Sequence, residues 1–231
     1  MNQVNHIGLV LDGNRRFAKR LMLEPHKGHE YGAQKVEKLL EWCKELDIKE
    51  LTLYAFSMQN FNRPKLEFDY LMKVFDETFT RIKGDSRLKK DGIKINFIGR
   101  IELFPENVKK AMYALMEETK NNNKYIVNFA MAYGGREEII DAIKKIGRQI
   151  ENNEVNPEDI TEELVDANIY TKDQPDLIIR TGGDHRTSNF LIWQSSYSEW
   201  FFLQKTWPEF EKEDLVNCIE EFKQRERRFG K

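Results

Sequence analysis

The stretch Leu177-Ile178-Ile179-Arg180-Thr181-Gly182-Gly183-Asp184-His185-Arg186-Thr187-Ser188-Asn189 decides how the rest of the chain is read. Its first three residues form a short apolar run of the kind that is buried as a strand, and a polar segment follows without a break. Two glycines let backbone approach a ligand closely, and two arginines present forked donors that match phosphate oxygens. Thr187, Ser188 and Asn189 add neutral donors. The stretch therefore reads as an anion cradle at the end of a buried strand. Near the start of the chain, Ile7-Gly8-Leu9-Val10-Leu11 runs in the same way into Asp12-Gly13-Asn14-Arg15-Arg16. Two such junctions predict that more than one phosphate group is bound.

Working outward, strand-like apolar runs recur at residues 7–11, 51–56, 93–98, 125–132, 177–179 and 200–203. Helical periodicity fills most of the intervals, at 33–46, 66–82, 106–120, 136–150 and 211–228, with a short helix expected from Asn156-Pro157, an asparagine cap before a proline. Strands alternating with helices predict an α/β fold with a mostly parallel central sheet of about six strands surrounded by helices. At 231 residues without repeats or an interdomain linker, one domain over residues 1–231 is expected. In such sheets ligands bind beyond the carboxyl ends of the strands. The segments that follow four of the runs are polar accordingly: 12–16, 57–64, 133–136 and 180–189.

Composition narrows the chemistry. A net charge of −2 argues against nucleic acid as a partner, so the arginines near the glycines act locally. Cys43 and Cys218 lie far apart in helix-like contexts, as expected for buried thiols in a reducing cytoplasm. No leader-like segment opens the chain, and no run approaches the roughly 20 apolar residues of a membrane span. The phosphate signatures GxxxxGK[ST] and GxGxxG are absent, as are GxSxG and HExxH. His26-Lys27-Gly28-His29 has metal-like spacing but no partner ligands nearby, and a phosphate-facing role for His29 is the better reading.

Asp12, an acid at a strand end flanked by glycine and arginines, is placed where Mg²⁺ could bridge protein and diphosphate oxygens, with Glu199 as the candidate second oxygen ligand. The aromatic stripe of 66–82 has two readings. It is core packing, or it lines a tunnel for a long apolar substrate with a diphosphate head.

Four ordered motifs resemble those of the cis-prenyltransferases, the undecaprenyl and dehydrodolichyl diphosphate synthase family. The first is His6-Ile7-Gly8-Leu9-Val10-Leu11-Asp12-Gly13-Asn14-Arg15-Arg16-Phe17-Ala18. The second is Leu53-Tyr54-Ala55-Phe56-Ser57 with Asn60-Phe61-Asn62-Arg63-Pro64, and the third is Asn128 with Tyr133-Gly134-Gly135-Arg136. The fourth and most specific runs from Ile179-Arg180-Thr181-Gly182-Gly183-Asp184 through Ser188-Asn189-Phe190-Leu191 and Trp193-Gln194 to Tyr197, Glu199 and Trp207-Pro208. The resemblance spans nearly the whole chain. Trans-type synthases use DDxxD metal clamps, and this chain has no Asp-Asp pair.

What the resemblance implies is condensation of several isopentenyl diphosphate units onto an allylic diphosphate, farnesyl or geranylgeranyl, each new double bond being cis. The product is a polyprenyl diphosphate for glycosyl carrier lipid synthesis. Asp12 would hold Mg²⁺ on the allylic diphosphate, with Glu199 assisting at the metal. Gly13, Asn14, Arg15 and Arg16 would bind that diphosphate, and His29 would add a contact. Arg180, Arg186, Thr187 and Ser188 would take the isopentenyl diphosphate. Ser57, Met58 and Gln59 would flank it beside Asn60, the family's candidate for proton removal. A neutral amide is a very weak base, so Asn60 is better cast as positioning a diphosphate oxygen that takes the proton. Phe17, Phe61 and Arg63 would shape the pocket around the reacting carbons. The ending Arg228-Phe229-Gly230 resembles the family's C-terminal Arg-x-Gly element, implying a homodimer in which each tail completes the partner's site. A very long apolar product also implies contact with a membrane surface at release.

The chain departs from many bacterial members, which have glycine at Arg15, tryptophan at Phe17 and Phe61, glutamate at Gln59 and arginine at Pro25. Arg15, His26 and Lys27 are the candidates to replace that last charge. These variants lie closer to archaeal and eukaryotic members. Two alternatives stand beside the catalyst: a non-catalytic subunit that stabilises a catalytic partner, and a diphosphate hydrolase. Non-catalytic subunits lack the aspartate or the glycine and arginine cradle, and this chain has both.

Overall fold

The structure, a computed structural model, describes residues 3–225. The Arg228-Phe229-Gly230 element lies outside the described residues. Among the described residues the strands are β1 (His6–Val10), β2 (Glu50–Ser57), β3 (Ile93–Ile98), β4 (Tyr125–Tyr133), β5 (Leu177–Arg180) and β6 (Glu199–Phe202). They form one sheet in the order β3-β4-β2-β1-β5-β6, parallel at every pairing. The strands are apolar on both faces because both are covered, as parallel sheets require.

The helices are α1 (Asn14–Arg20), α2 (Gly28–Glu45), α3 (Lys65–Ile82), α4 (Ser86–Lys90), α5 (Glu106–Thr119), α6 (Gly135–Glu151), α7 (Glu162–Asn168) and α8 (Lys212–Gln224). Pro64 and Pro105 stand immediately before α3 and α5, where a proline costs no helical hydrogen bond. The larger core lies on one face of the sheet. There Leu39 and Cys43 of α2, Leu71 and Phe79 of α3, Met112 and Leu115 of α5 and Leu215 and Phe222 of α8 pack on Leu9, Leu53, Phe129 and Ile179. Val10, Tyr54, Ala130 and Ile178 cover the other face with Phe190 and Leu191.

Residues 14–16, read from sequence as loop, open α1, and α2 begins five residues before its apolar stripe. The expected helix near Asn156 is a single 3-10 turn, Pro157–Asp159, ahead of α7. The Asn156 side chain donates to the Asp159 carboxylate instead of capping backbone N–H groups.

One row of the sheet is polar over three of its strands. Asn96, Asn128, Thr52, Gly8 and Ile178 lie side by side across β3, β4, β2, β1 and β5. Asn96 Nδ2 donates to Asn128 Oδ1 (2.9 Å), and Asn128 Nδ2 donates to Thr52 Oγ1 (3.2 Å) and Glu50 Oε1 (2.6 Å). His6 Nε2 joins at Thr52 Oγ1 (2.8 Å).

Chain direction selects the site. From β1 the chain turns one way toward β2, whereas β5 lies on the other side of β1 and leads outward to β6. Segments that leave neighbouring strands in opposite directions open a crevice between them, and here it lies beyond Val10 and Arg180, paired in register.

Candidate active site

Asp12 stands two residues beyond β1 and is held from three sides. Its backbone N–H donates to Thr181 Oγ1 (3.1 Å), and its carbonyl accepts from Thr181 Oγ1 (2.8 Å) and the Trp207 N–H (2.9 Å). Its Oδ1 accepts from the Gly13 N–H (2.6 Å) and Arg16 Nη2 (3.1 Å), and its Oδ2 accepts from Arg180 Nη2 (2.9 Å). Arg180 is only 3 % exposed. Its Nη1 donates to Ser188 Oγ (2.7 Å) and the Arg186 carbonyl (2.5 Å), while its buried Nε has no hydrogen-bond partner. Asp184 ties Arg16 (3.2 Å) to Arg186 (3.0 Å). The first and fourth motifs thus form one lattice of charge-assisted hydrogen bonds.

Glycine is required at two of its corners. Gly182 has φ +91°, and a Cβ there would lie 2.7 Å from Arg16 Nη2 and 3.1 Å from the Asp12 carbonyl carbon. Gly13 has φ +103° and would meet Thr206 at 2.7 Å. Asn189, also left-handed, accepts the N–H groups of Gly135 and Arg136 at the start of α6 and donates to Glu137, which pins the Ser188 and Asn189 turn against β4. Tyr54 Oη donates to the Ser188 (3.3 Å) and Tyr133 (3.2 Å) carbonyls from below.

A second cluster faces the first. Glu67 Oε1 accepts from Arg63 Nη1 (2.7 Å) and lies 3.3 Å from His29 Nε2 and 3.7 Å from Arg15 Nε. Burial first, and then the neighbouring Arg63, hold the His29 imidazole well below the usual histidine range, so it is neutral at neutral pH. The charge of Arg63 pulls the Glu67 carboxyl below its usual range against its burial. Arg15 turns toward this cluster, whereas His26 and Lys27 pack on Tyr70. Of the three candidates to stand in at Pro25, Arg15 is the one the fold brings to the site.

Between the clusters lies a polar basin of about 350 Å³ walled by residues 11–16, Lys19, His29, Arg63 and Asp184. It shares Leu11, Asp12, Asn14, His29 and Arg63 with an apolar chamber of about 560 Å³ that descends between α2, α3 and the sheet. Val74, Phe75, Phe79 and Ile82 line the chamber, whereas Phe68 and Met72 of the same stripe pack in the core. Core packing and cavity lining share one face of α3, and Phe79 takes part in both.

Ser57, Gln59 and Asn60 reach the chamber mouth. Asn60 Oδ1 accepts the Ser57 N–H (3.0 Å) in a capping box, which leaves the amide N–H groups as its face toward a ligand. Met58 and Phe61 turn into the core instead, and Phe61 buttresses the chamber residue Phe56 (ring centroids 5.0 Å apart). Phe17 packs edge-on against Tyr31 (5.3 Å), outside the chamber lining. Arg186 and Thr187 are exposed at the rim.

Glu199 corrects the expectation of a shared metal. It opens β6 in register with Leu177, at the amino edge of the sheet, and pairs with Arg225 (2.6 Å). At roughly 3.3 Å per residue, Asp12 lies about 16 Å away along the strand direction, so one chain cannot bring both carboxylates to one ion. Among the described residues no cluster of three or more His, Cys, Asp or Glu could hold a metal.

Sequence reasoning missed several residues. Glu67 carried a signal, four residues after Arg63 on what becomes a helix. Tyr54 and Trp207 stood inside quoted motifs, but only the fold gives them work: the Trp207 indole donates to the Gly32 carbonyl (2.9 Å) and walls the chamber.

The family model described as "Putative undecaprenyl diphosphate synthase" matches residues 10–230. The tritrans,polycis-undecaprenyl-diphosphate synthase (geranylgeranyl-diphosphate specific) of Methanocaldococcus jannaschii is 47 % identical, covering 100 % of this chain and 84 % of that protein. Its namesake from Thermococcus kodakarensis is 45 % identical, covering 100 % and 88 %. Among solved structures, lavandulyl diphosphate synthase from Lavandula x intermedia, in complex with dimethylallyl diphosphate, superposes with a TM-score of 0.95 at 32 % identity, covering 99 % of each chain. By sequence, by fold and by the polar basin set over an apolar chamber, this chain belongs to the undecaprenyl diphosphate synthase family of cis-prenyltransferases.

Proposed function

We propose that the chain extends geranylgeranyl diphosphate, the primer named for its archaeal relatives, by successive additions of isopentenyl diphosphate to a cis-polyprenyl diphosphate of undecaprenyl class. The observation that carries this reading is the shared rim of basin and chamber, with Asp12 on it. A diphosphate head fits the cationic basin and an isoprenoid tail fits the chamber, so the bond to be broken lies at the rim.

In each cycle the allylic C–O bond breaks and its electron pair leaves with diphosphate, the alkene of isopentenyl diphosphate forms the new C–C bond, and a proton is lost. Arg15, Arg16 and the N–H groups near Gly13 and Asn14 receive the departing charge, as preorganised donors do. Arg180, Arg186, Thr187 and Ser188 hold the isopentenyl diphosphate. The Asn60 N–H groups orient a diphosphate oxygen to accept the proton, a role supported by the engagement of Asn60 Oδ1 within its own turn.

Magnesium fits this site through one protein carboxylate. Mg²⁺ is commonly held by one or two carboxylates plus substrate phosphates and water, and Asp12 is a partly exposed acid on the wall of a basin sized for phosphates. When bound, the ion supplies positive charge to the leaving diphosphate.

The working unit is a homodimer, a reading supported by the C-terminal Arg-x-Gly element. Exposed Leu21, Met22 (96 %) and Leu23, just past the site-bearing α1, support contact with a membrane surface at product release. Among the described residues no helix is long and apolar enough to cross a membrane. The test is incubation with Mg²⁺, radiolabelled isopentenyl diphosphate and each allylic primer, beside Asp12→Ala. A ladder of products absent with Asp12→Ala supports the reading, and no elongation with any primer overturns it.

A further inference from the structure

The apolar chamber has a neighbour. A second cavity, of about 320 Å³, lies between α2, α3, α4 and the start of β3, and Glu37 and Ile82 line both spaces. Across this junction Arg81 Nη1 of α3 stands 2.5 Å from Glu37 Oε1 of α2. That oxygen is screened from solvent and has no aligned hydrogen-bond donor, so the contact is one of charge alone. Beyond the pair, Leu40, Leu88 and Ile93 continue an apolar surface among charged side chains.

Volume gives the junction a purpose. At roughly 30 Å³ per carbon-sized group, the share of one water in the liquid, the chamber holds about twenty carbons, the length of a geranylgeranyl tail. A primer of that size fills it, and every added unit must push the far end of the tail elsewhere. On the side of the second cavity, the residues common to both spaces are Glu37, held by Arg81, and Ile82.

Resting on the function proposed above, we infer that the Glu37 and Arg81 ion pair is a gate across a lateral outlet, and that passage through this gate determines product length. Hydrocarbon driven between the two side chains separates them, and the cost of taking the Arg81 charge from the screened Glu37 oxygen opposes the gain from burying each new unit. Arg81 keeps 56 % side-chain exposure and can swing into water without unfolding either helix. Ile82, at the same junction, sets the width of the opening.

The test is product length. Wild type, Glu37→Ala, Arg81→Ala, the charge-reversed pair Glu37→Arg with Arg81→Glu, and Ile82→Trp are compared with a geranylgeranyl primer, products being resolved by chain length and normalised to total incorporation. Thermal unfolding confirms that each variant is folded. Loss of either charge should move the dominant product upward by one or more five-carbon units, the reversed pair should return it to the wild-type length, and Ile82→Trp should accumulate shorter chains. An unchanged dominant length in both single-charge variants, with wild type elongating normally, would overturn the gate alone. Failure of wild type to elongate would overturn the proposed function and the gate with it.

Discussion

Asp12 Oδ2 and Arg180 Nη2 meet at 2.9 Å from the ends of two neighbouring parallel strands, 168 positions apart in sequence. One guanidinium thereby fastens the carboxylate of the first motif with one branch and Ser188 and the Arg186 carbonyl with the other. The basin is already assembled by the protein's own hydrogen bonds, and the substrate does not have to pay for organising it.

Arg180→Lys keeps the charge and loses the fork. A lysine ammonium cannot serve both branches at once, so the fourth motif should loosen from Asp12. kcat/KM for isopentenyl diphosphate should fall roughly 10- to 100-fold, in line with the loss of charge-assisted hydrogen bonds. Initial rates with each diphosphate varied in turn check this, and an unchanged KM for isopentenyl diphosphate would contradict the assignment.

Asp12→Asn removes the acid and leaves Arg180 buried beside a neutral amide. Asp12 is partly exposed and Arg180 keeps Asp184 at 3.8 Å, so the loss is that of one charge-assisted bond, about 1.5–3 kcal/mol, and the melting temperature should drop. The same change makes the basin more cationic. Inorganic diphosphate without Mg²⁺ should therefore bind the Asp12→Asn variant at least as tightly as wild type, while the gain in affinity on adding Mg²⁺ should be confined to wild type. Isothermal titration with and without the ion separates the two effects.

His6 and Glu50 lie 4.0 Å apart at the opposite edge of the sheet, and burial disfavours the charged form of each. Burial lowers the His6 pKa to about 4, and burial with the nearby Asp173 raises that of Glu50 to about 7. As pH falls from 6.5 toward 4, the unfolded histidine takes up a proton that the folded one refuses, so this residue costs stability. As pH falls from 7 toward 4.5, folded Glu50 holds a proton that the unfolded chain does not, so this residue adds stability. The two slopes oppose each other. Glu50→Gln should leave a protein that loses stability below pH 6.5, and His6→Gln one that gains stability from pH 7 to 4.5, by at most about 1.4 kcal/mol per pH unit. Urea midpoints across that range distinguish them, and parallel curves for the two variants would refute the assignment.

Two glycines on helices should respond oppositely to alanine. A Cβ on Gly28 would lie 2.0 Å from the Asn14 carbonyl oxygen, a backbone atom that cannot give way without moving α1 and its arginines. Gly28→Ala should cost about 1–3 kcal/mol and lower activity through the displaced α1. Gly147, inside α6, has nothing within 4 Å of its Cβ position, and Gly147→Ala should add about 0.5–1 kcal/mol with activity unchanged. Thermal melts with parallel initial rates test the pair.

All six strands were legible because each is a short apolar run bounded by polar turns, and no strand end differs from expectation by more than one residue. The start of α1 was not legible. Asn14, Arg15 and Arg16 carry no apolar period, and their helix is fixed by contacts distant in sequence, Gly28 against the Asn14 carbonyl and Trp207 against that of Asp12. Asp12 and Arg180 could be placed together because each follows a strand and strand ends converge. Phe61 could not be placed the same way, because whether a side chain faces core or cavity is settled by packing, whereas Glu199, standing ahead of the run 200–203 in a parallel sheet, was legible at the amino end.

The side-chain network that joins β3, β4 and β2 has a bearing on how the chain finds this arrangement at all. Parallel pairing between distant segments is slow and prone to wrong alignments, because hydrophobic runs such as those of β1, β2 and β4 can slide past one another at little cost. Sliding β3, β4 or β2 by one residue would turn an asparagine or threonine into an apolar layer and strand its partner's donors. Correct alignment of these three strands is thus marked midway along them. Asp12 lies four residues past Gly8, Arg180 two past Ile178, and Ser57 and Tyr133 five past Thr52 and Asn128. Matched amides on β2 and β4 therefore also fix how far Ser57 and Tyr133 stand beyond the row.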